Sequence, residues 1–268
     1  PDVPDSGPDV PDVPDVPFTI PNLQDLTRHV DPRIGTSNSG NVTIGAAVPN
    51  AWVRVGPHTV AKGSGAITSY TWDATTIRGF THTNLSGPGG SFYGYSQVLV
   101  MPTVGPLQTD PEALATPFSH DDEVAEAGYY AARLGSGIRA EMTATGHAAL
   151  HRYTFPEAAE SRVIVDLATS LGTPLGSAIR VDGDRTLRGF GRYQVHPTLA
   201  LLIGEAEPPG IQTVYVVVRF SRPFALAGAY ELGEEAVPGV TSAQDADVAA
   251  FAAFGATAPG DVLEVSVG

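Results

Sequence analysis

Small and polar side chains that could bind a polyol are concentrated in the segment Thr81–Gly90, whose sequence is THTNLSGPGG. Imidazole, amide and hydroxyl groups donate and accept hydrogen bonds, and glycines allow a ligand to approach the backbone closely. The candidates for a ligand pocket in this segment are His82, Thr83, Asn84, Ser86 and Gly87. The same composition also suits a glycine-rich loop whose histidine and asparagine only bridge neighbouring strands. The residues by themselves leave both interpretations open.

His151 and Arg152 are a second pair of interest, because they lie within the predicted strand Ala148–Phe155. Adjacent side chains of a strand face opposite sides of a sheet, so only one of the two can face a ligand or a partner domain. We expect His151 to be a hydrogen-bonded residue inside the protein. Arg152 is the remaining candidate for the pocket.

Two further clusters are assigned no chemistry. The segment His120–Glu123 is rich in possible metal ligands, but consecutive residues point in different directions and no distant carboxylate completes a site. We predict a solvated acidic turn there, and no metal. The segment Arg188–Arg192 (RGFGR) combines arginines with an aromatic residue, yet two arginines in an acidic chain do not indicate RNA binding. We predict the end of a strand and a turn.

The composition excludes several classes of protein. The 268 residues include 15 basic and 29 acidic side chains, and the net charge of −14 repels the phosphates of nucleic acids. The absence of cysteine excludes disulfides, thiolate metal ligands and cysteine nucleophiles. No apolar run approaches the roughly 18 residues that a membrane-spanning helix needs, so no transmembrane segment is predicted.

The first seventeen residues, PDVPDSGPDVPDVPDVP, repeat proline and aspartate at short intervals. Proline fixes φ and the carboxylates repel one another, so residues 1–17 are predicted to be a disordered or polyproline-II-like linker. Spacers of this kind commonly hold an exported domain away from an anchor or a neighbouring module. We therefore expect an extracytoplasmic protein, whether secreted, periplasmic or surface-anchored, with residues 18–268 as its folded domain.

From Phe18 onward, short β-type runs alternate with glycine, proline, asparagine and aspartate, which is typical of a large antiparallel β-sandwich. Turns are predicted at Ser136-Gly137 and Asp182-Gly183-Asp184, and most strands should follow one another as hairpins. The pattern leaves the type of Asp245–Phe254 open between helix and strand. The predicted strands are Asn41–Val48, Trp52–Val55, Gln97–Met101, Tyr129–Leu134, Ile138–Ala144, Ala148–Phe155, Arg162–Leu167, Thr186–Phe190, Thr213–Phe220 and Val262–Val267.

Four sequence motifs stand out in the order of the chain. The first two are VDPRIGT from Val30 and GAAVP from Gly45, the latter followed by Gly56-Pro57-His58-Thr59. The third is IRGFTHTNLSG from Ile77. The fourth joins Phe118-Ser119-His120 and Gly128-Tyr129-Tyr130 to EMTAT from Glu141 and HRYTFP from His151. Together they resemble the N-terminal β-sandwich domain of glycoside hydrolase family 92, a family of α-mannosidases, whose Gly-Phe-Ser-His-Thr-His-Leu-Ser-Gly loop is similar to the third motif. The resemblance covers residues 29–267.

This resemblance implies a supersandwich-type domain that packs on an (α/α)6 barrel of the same polypeptide. It also implies an inverting, calcium-dependent exo-α-mannosidase that acts on α-mannoside-type glycans. An inverting hydrolase needs a general acid and a general base about 6.5–9.5 Å apart, and in the family both carboxylates come from the barrel. We therefore expect no catalytic residue, metal site or bound cofactor in this chain. Alone it should be inactive, because it contributes only pocket loops and a docking face.

The chain departs from the family pattern at Pro49-Asn50-Ala51-Trp52, where the family has Pro-Phe-Gly-Met, and at Asn84, where it has histidine. The family tryptophan upstream of the loop has no counterpart in Ala61–Ile67. Besides an enzyme module with an exposed apolar docking face, two alternatives stay open. One is a free-standing sandwich that binds a carbohydrate or a protein partner without catalysis, and the other is an incomplete remnant.

Overall fold

The computed structural model describes residues 23–61, 66–86, 95–194, 210–237 and 239–268. Its strands form two large antiparallel sheets that share one hydrophobic core, which confirms the predicted all-β sandwich. The helices described are three short 3₁₀ segments, Leu23–His29, Pro111–Leu114 and His120–Asp122. No helix within these ranges is long and apolar enough to cross a membrane. The predicted linker, residues 1–17, lies outside the described residues.

The described residues form seventeen strands, numbered in chain order. They are β1 Gly56–His58, β2 Thr76–Ile77, β3 Gly79–Thr81, β4 Leu99–Val104, β5 Thr116–Pro117, β6 Val124–Glu126, β7 Tyr129–Arg133, β8 Arg139–Ala144, β9 Ala149–Thr154, β10 Ala158–Asp166, β11 Thr173–Asp182, β12 Thr186–Gln194, β13 Ile211–Phe220, β14 Leu226–Glu231, β15 Ser242–Asp245, β16 Val248–Thr257 and β17 Val262–Val267. The larger sheet has nine strands in the order β15-β11-β12-β13-β17-β9-β8-β7-β6. The smaller has six in the order β1-β3-β4-β10-β16-β14, and β2 pairs with β5 separately.

The two sheets bury their strands differently. In the nine-stranded sheet, burial alternates along β9 and the second half of β13, so one face is in the core and the other faces outward. In the six-stranded sheet, Ser161–Asp166 of β10 and Val248–Ala252 of β16 are buried at every position, so both faces are covered. The apolar runs Val163–Val165 and Val248–Ala252 at the centre of these strands are the sequence signature of that burial.

Most of the predicted strands are present within a few residues of their predicted bounds, and two predictions are wrong. Asn41–Val48 and Trp52–Val55 are extended loops joined by a single bridge between Ala46 and Val55. Asn41 (φ 55°) at the start of the first segment and Gly45 (φ 148°) within it interrupt the extended backbone. Among the described residues, both segments form only isolated bridges and no strand ladder. The segment left open, Asp245–Phe254, contains the end of β15 and most of β16, so it is β-structure.

Both predicted turns are confirmed. Gly137 (φ 88°) lies between β7 and β8, and Gly183 (φ 71°) lies between β11 and β12. The expected run of hairpins holds for β6 to β9 and for β11 to β13. It fails elsewhere, because β17 inserts between β13 and β9, and β10 lies between β4 and β16. The prediction of a turn within Arg188–Arg192 is also wrong, since β12 continues unbroken to Gln194.

Candidate functional site

The candidate loop begins where β3 ends, at Thr81, in the part of the six-stranded sheet between β1 and β4. The backbone of Arg54 donates to the carbonyl of His82 at 2.9 Å, and that of Asn84 donates to the carbonyl of Arg54 at 3.2 Å. On the other side, the His82 amide donates to the carbonyl of Gln97 at 3.0 Å. Two neighbouring segments therefore hold the described part of the loop by its backbone.

Both ring nitrogens of His82 are bound to other parts of the protein. Nδ1 lies 2.6 Å from the carbonyl oxygen of Val98, and Nε2 lies 2.8 Å from Nε2 of His151. Only 4% of His82 and none of His151 is exposed. Burial lowers the pKa of His82 to about 4, so the imidazole is neutral at neutral pH. His151 is also buried and hydrogen-bonded, which is where the sequence places it.

The side chains of Asn84 and Thr83 are likewise engaged inside the protein. Asn84 accepts from the Thr81 hydroxyl at 2.9 Å and donates to the carbonyls of Thr81 (2.8 Å) and Arg54 (3.2 Å). The hydroxyl of Thr83 donates to the side-chain oxygen of Gln97 and accepts from the Gln97 amide. In this arrangement the two residues fix the path of the loop.

Ser86 is the last described residue of the loop. Its hydroxyl oxygen accepts from Nη1 of Arg54 at 3.1 Å and from the backbone amide of Thr43 at 3.3 Å. The guanidinium of Arg54 therefore lies against the loop. The two residues are 32 positions apart in the chain, so no local sequence pattern predicts this contact. Gly87, the last candidate of this segment, lies outside the described residues.

Arg152 is not brought together with the loop. His151 faces inward toward His82, so its neighbour Arg152 faces outward from the nine-stranded sheet. There Arg152 forms an ion pair with Glu264 of the adjacent strand β17, at 3.1 Å. The sheet itself therefore separates Arg152 from the four described candidates of the loop.

The segment His120–Glu123 contains a buried site that the sequence did not predict. Asp121 and Asp122 are exposed in a 3₁₀ turn, as expected, but Glu123 is only 4% exposed. Its carboxylate accepts from the Tyr70 hydroxyl (3.1 Å), from the Tyr130 hydroxyl (2.7 Å) and from Nδ1 of His120 (2.7 Å). The His120 ring also stacks on Trp72, with centroids 3.8 Å apart. The prediction of a solvated turn is therefore wrong for Glu123.

Exposed apolar side chains lie close to the loop. Trp52 is 81% exposed, and Val48 and Leu85 are also exposed. In the chain, Trp52 is two residues before Arg54 and Leu85 precedes Ser86, whose side chain contacts Arg54. The Trp52 amide donates to the carbonyl of Gly146 at 2.9 Å. Tryptophan is enriched at interaction sites, so the exposed Trp52 side chain is a candidate contact for a partner. The exposure of Trp52 was not predicted, because Trp52–Val55 was expected to be a strand.

No group of three or more histidine, aspartate or glutamate side chains in the described ranges is arranged to hold a metal ion. The carboxylate of Glu123 instead receives hydrogen bonds from two tyrosines and a histidine. These side chains therefore offer no ligand set for calcium.

Comparison with known proteins decides the family. Residues 29–268 match the sequence family described as the glycosyl hydrolase family 92 N-terminal domain. This chain belongs to that family. The family 92 domain is 31% identical, over 209 residues and 70% of its length, to an uncharacterized secreted glycosidase of Arthroderma benhamiae.

Its fold is similar to that of solved family 92 enzymes. The GH92 α-mannosidase BT3965 from Bacteroides thetaiotaomicron superimposes with a TM-score of 0.79 at 25% identity, over 92% of this chain and 33% of that enzyme. The GH92 family glycosyl hydrolase ccman5 gives a TM-score of 0.72 at 28% identity, over 91% of this chain and 32% of that protein. The fungal glycosidase is covered over 27% of its length. The family 92 domain therefore spans a third or less of each of these relatives.

Proposed function

We propose that this domain is part of an exported, inverting and calcium-dependent exo-α-mannosidase, in which it supplies pocket loops and a docking face to an (α/α)6 catalytic domain. The observation that supports this most directly is the family match over residues 29–268 together with the likeness to the α-mannosidase BT3965. The secreted glycosidase among its relatives supports export.

Within this proposal, His82 and Asn84 are positioning residues. Their polar atoms already bind Val98, His151, Thr81 and Arg54, so they hold the loop in place, and the proposal leaves contact with the sugar to Ser86 and Gly87. Of the described candidates, Ser86 is the one with an exposed apolar neighbour, Leu85, and a charged partner, Arg54.

The docking face is assigned to the exposed side chains of Val48, Trp52 and Leu85. Leu85 is part of the loop and Trp52 is two residues from Arg54, which contacts Ser86. In this proposal, a partner domain that covers them also closes one side of a pocket at Ser86. No catalytic carboxylate is assigned to this chain. The proposal assigns calcium to the complete enzyme, because the described residues of this domain offer no ligand set for it.

The activity test compares residues 1–268 with the product of the complete reading frame. Release of mannose from an α-mannoside is measured with calcium and with a chelator, and proton NMR follows the anomer formed first. We expect activity only from the longer protein, loss of that activity with chelator, and β-mannose as the first product. Hydrolysis by residues 1–268 alone, or α-mannose as the first product, would contradict the proposal.

A second measurement tests the docking face. Trp52→Asp places a charge in the proposed interface, and Val262→Asp places the same charge at a half-exposed position on the outer face of β17. We expect only the first substitution to lower the activity of the complete protein and its resistance to proteolysis between domains. Equal behaviour of the two variants would place the docking face elsewhere.

A further inference from the structure

The segment Arg188–Arg192 is part of β12, and its alternate residues share one face of the nine-stranded sheet. Leu187 and Tyr193 point into the core, so Arg188, Phe190 and Arg192 point outward. On the two adjacent strands, Arg180 lies directly opposite Arg188 and Tyr215 lies directly opposite Phe190. Together, these outward residues form a surface, the arginine face, made of Arg180, Arg188, Phe190, Arg192 and Tyr215.

The aromatic pair of this face is accessible to a ligand. The rings of Phe190 and Tyr215 have their centroids 5.9 Å apart at an interplanar angle of 50°, and Tyr215 is 76% exposed. An exposed tyrosine on a rigid central strand offers a flat apolar surface with a hydroxyl at its edge. The C–H face of a sugar ring is a suitable partner for such a surface.

The arginines supply unused hydrogen-bond donors. Arg180 and Arg192 have no hydrogen-bond or ion-pair partner in the part of the chain that the structure describes. Arg188 has one, the carboxylate of Asp182, with Nε at 2.5 Å. A guanidinium binds a carboxylate or a sulfate through paired hydrogen bonds. With three arginines and one aspartate, this surface carries a net positive charge, whereas the whole chain is negative.

A groove lies beside the aromatic pair. It has a volume of about 380 Å³ and is lined by residues of β11, β12 and β15, which include Arg180, Arg188, Phe190, Ser242 and Gln244. Binding pockets for small molecules begin at roughly 300 Å³, so the groove accommodates one or two sugar rings. The side chains of Ser242 and Gln244 lie on exposed positions of β15, where they can bind sugar hydroxyls.

We propose that the arginine face and its groove form a binding site for an anionic glycan, a carbohydrate that carries carboxylate or sulfate groups. The aromatic pair stacks on a sugar ring, and Arg180 and Arg188 bind its acidic group. A glycan is favoured over a polynucleotide because the net charge of −14 repels a continuous phosphate backbone. A glycan brings only one or two acidic sugars into the groove, so it is repelled less. This site is independent of the proposed mannosidase activity, since the loop Thr81–Ser86 belongs to the other sheet.

The test is a calorimetric titration of residues 1–268 with a galacturonic acid tetrasaccharide, and with the neutral maltotetraose for comparison. Tyr215→Ala removes the stacking surface, and the double variant Arg180→Gln/Arg188→Gln removes the donors. Arg133→Gln is the matched control, because Arg133 is an exposed, outward residue near the opposite edge of the same sheet. Thermal unfolding of each variant verifies that the fold is kept.

We expect the acidic tetrasaccharide to bind at least about tenfold more tightly than the neutral one, and to bind more weakly as salt screens the arginines. Tyr215→Ala and the double arginine variant should each lower the affinity about tenfold or more, whereas Arg133→Gln should leave it unchanged. Absence of binding, equal affinity for both sugars, or unchanged binding by the folded variants would overturn the proposal. Tighter binding of polyuridylate RNA than of the tetrasaccharide would also overturn it, in favour of a polynucleotide.

Discussion

Nε2 of His82 and Nε2 of His151 lie 2.8 Å apart in the buried space between the two sheets. Nδ1 of His82 faces the Val98 carbonyl, which can only accept, so this nitrogen carries the proton of the neutral ring and Nε2 is an acceptor. His151 must then donate from Nε2, and its Nδ1 accepts from the Tyr153 hydroxyl at 2.8 Å. One chain of donors, from Tyr153 through both histidines to Val98, therefore links the core to the candidate loop.

The first prediction is that stability falls as the pH falls below 6.5. Burial lowers the pKa of His82 to about 4 and, with repulsion from Arg78, that of His58 to about 4. Burial, and then the neighbouring His82, hold the pKa of His151 well below 6.5. These rings take up protons near pH 6.5 only when the protein is unfolded, so acid favours the unfolded state.

Each of the three histidines should lower the free energy of unfolding by about 2 kcal/mol between pH 7 and pH 5. Urea unfolding at several pH values across this range measures how the free energy of unfolding depends on pH, and ordinary carboxylates contribute little to that dependence above pH 5. His58→Leu should remove about a third of the dependence. A free energy of unfolding that does not change between pH 7 and pH 5 would show that the three rings are not held neutral by the fold.

The second prediction concerns the hydroxyl at the start of the donor chain. Tyr153→Phe leaves Nδ1 of the buried His151 without a donor, so the free energy of unfolding should fall by about 1–3 kcal/mol. Tyr230→Phe is the matched control, since the Tyr230 hydroxyl is buried without a hydrogen-bond partner among the residues described. Its removal should be neutral or stabilising. Similar losses for both variants in urea unfolding would contradict the assigned donor chain.

The third prediction concerns Glu123. Glu123→Ala removes the acceptor for two tyrosine hydroxyls and one imidazole in a buried site, so a loss of about 3 kcal/mol or more in the free energy of unfolding is expected. Glu126→Ala makes the same change at an exposed position three residues further along. That control should stay within about 0.5 kcal/mol of the parent. Comparable stability of the two variants would mean that the Glu123 network contributes nothing.

The sequence predicts the strands best where local pattern alone determines the structure. β8 and the run TVYVVVRF within β13 carry a β-type pattern, and both form where predicted. The same reasoning fails at Asn41–Val48 and Trp52–Val55, because these segments form only isolated bridges with other described residues and no strand ladder. Apolar composition predicts that a segment is buried, but not whether its backbone forms a strand or a loop.

The candidate site was harder to predict because its contacts join distant parts of the chain. Glu123 is separated by 53 residues from Tyr70, and His82 by 69 residues from His151. Neither pair has a local spacing that a sequence pattern could detect. The family resemblance drew attention to the loop, but only the structure shows that His82 and Asn84 point into the protein.

The fourth prediction concerns the glycine where the two loops beside the site cross. Gly45 has a φ of +148°, and a Cβ at this position would lie 2.3 Å from the carbonyl oxygen of Val55. Gly45→Ala must therefore displace the segment that carries Trp52 and Arg54, or strain the backbone. We expect a loss of about 3 kcal/mol in the free energy of unfolding.

Gly146→Ala is the matched control, because no atom lies within 4 Å of its added Cβ. Its effect should stay within about 0.5 kcal/mol. In the complete protein, Gly45→Ala should also lower activity at temperatures where the domain remains folded, since Arg54 would no longer support Ser86. If Gly45→Ala were as stable and as active as Gly146→Ala, the close crossing of these loops would not be what holds the candidate site in place.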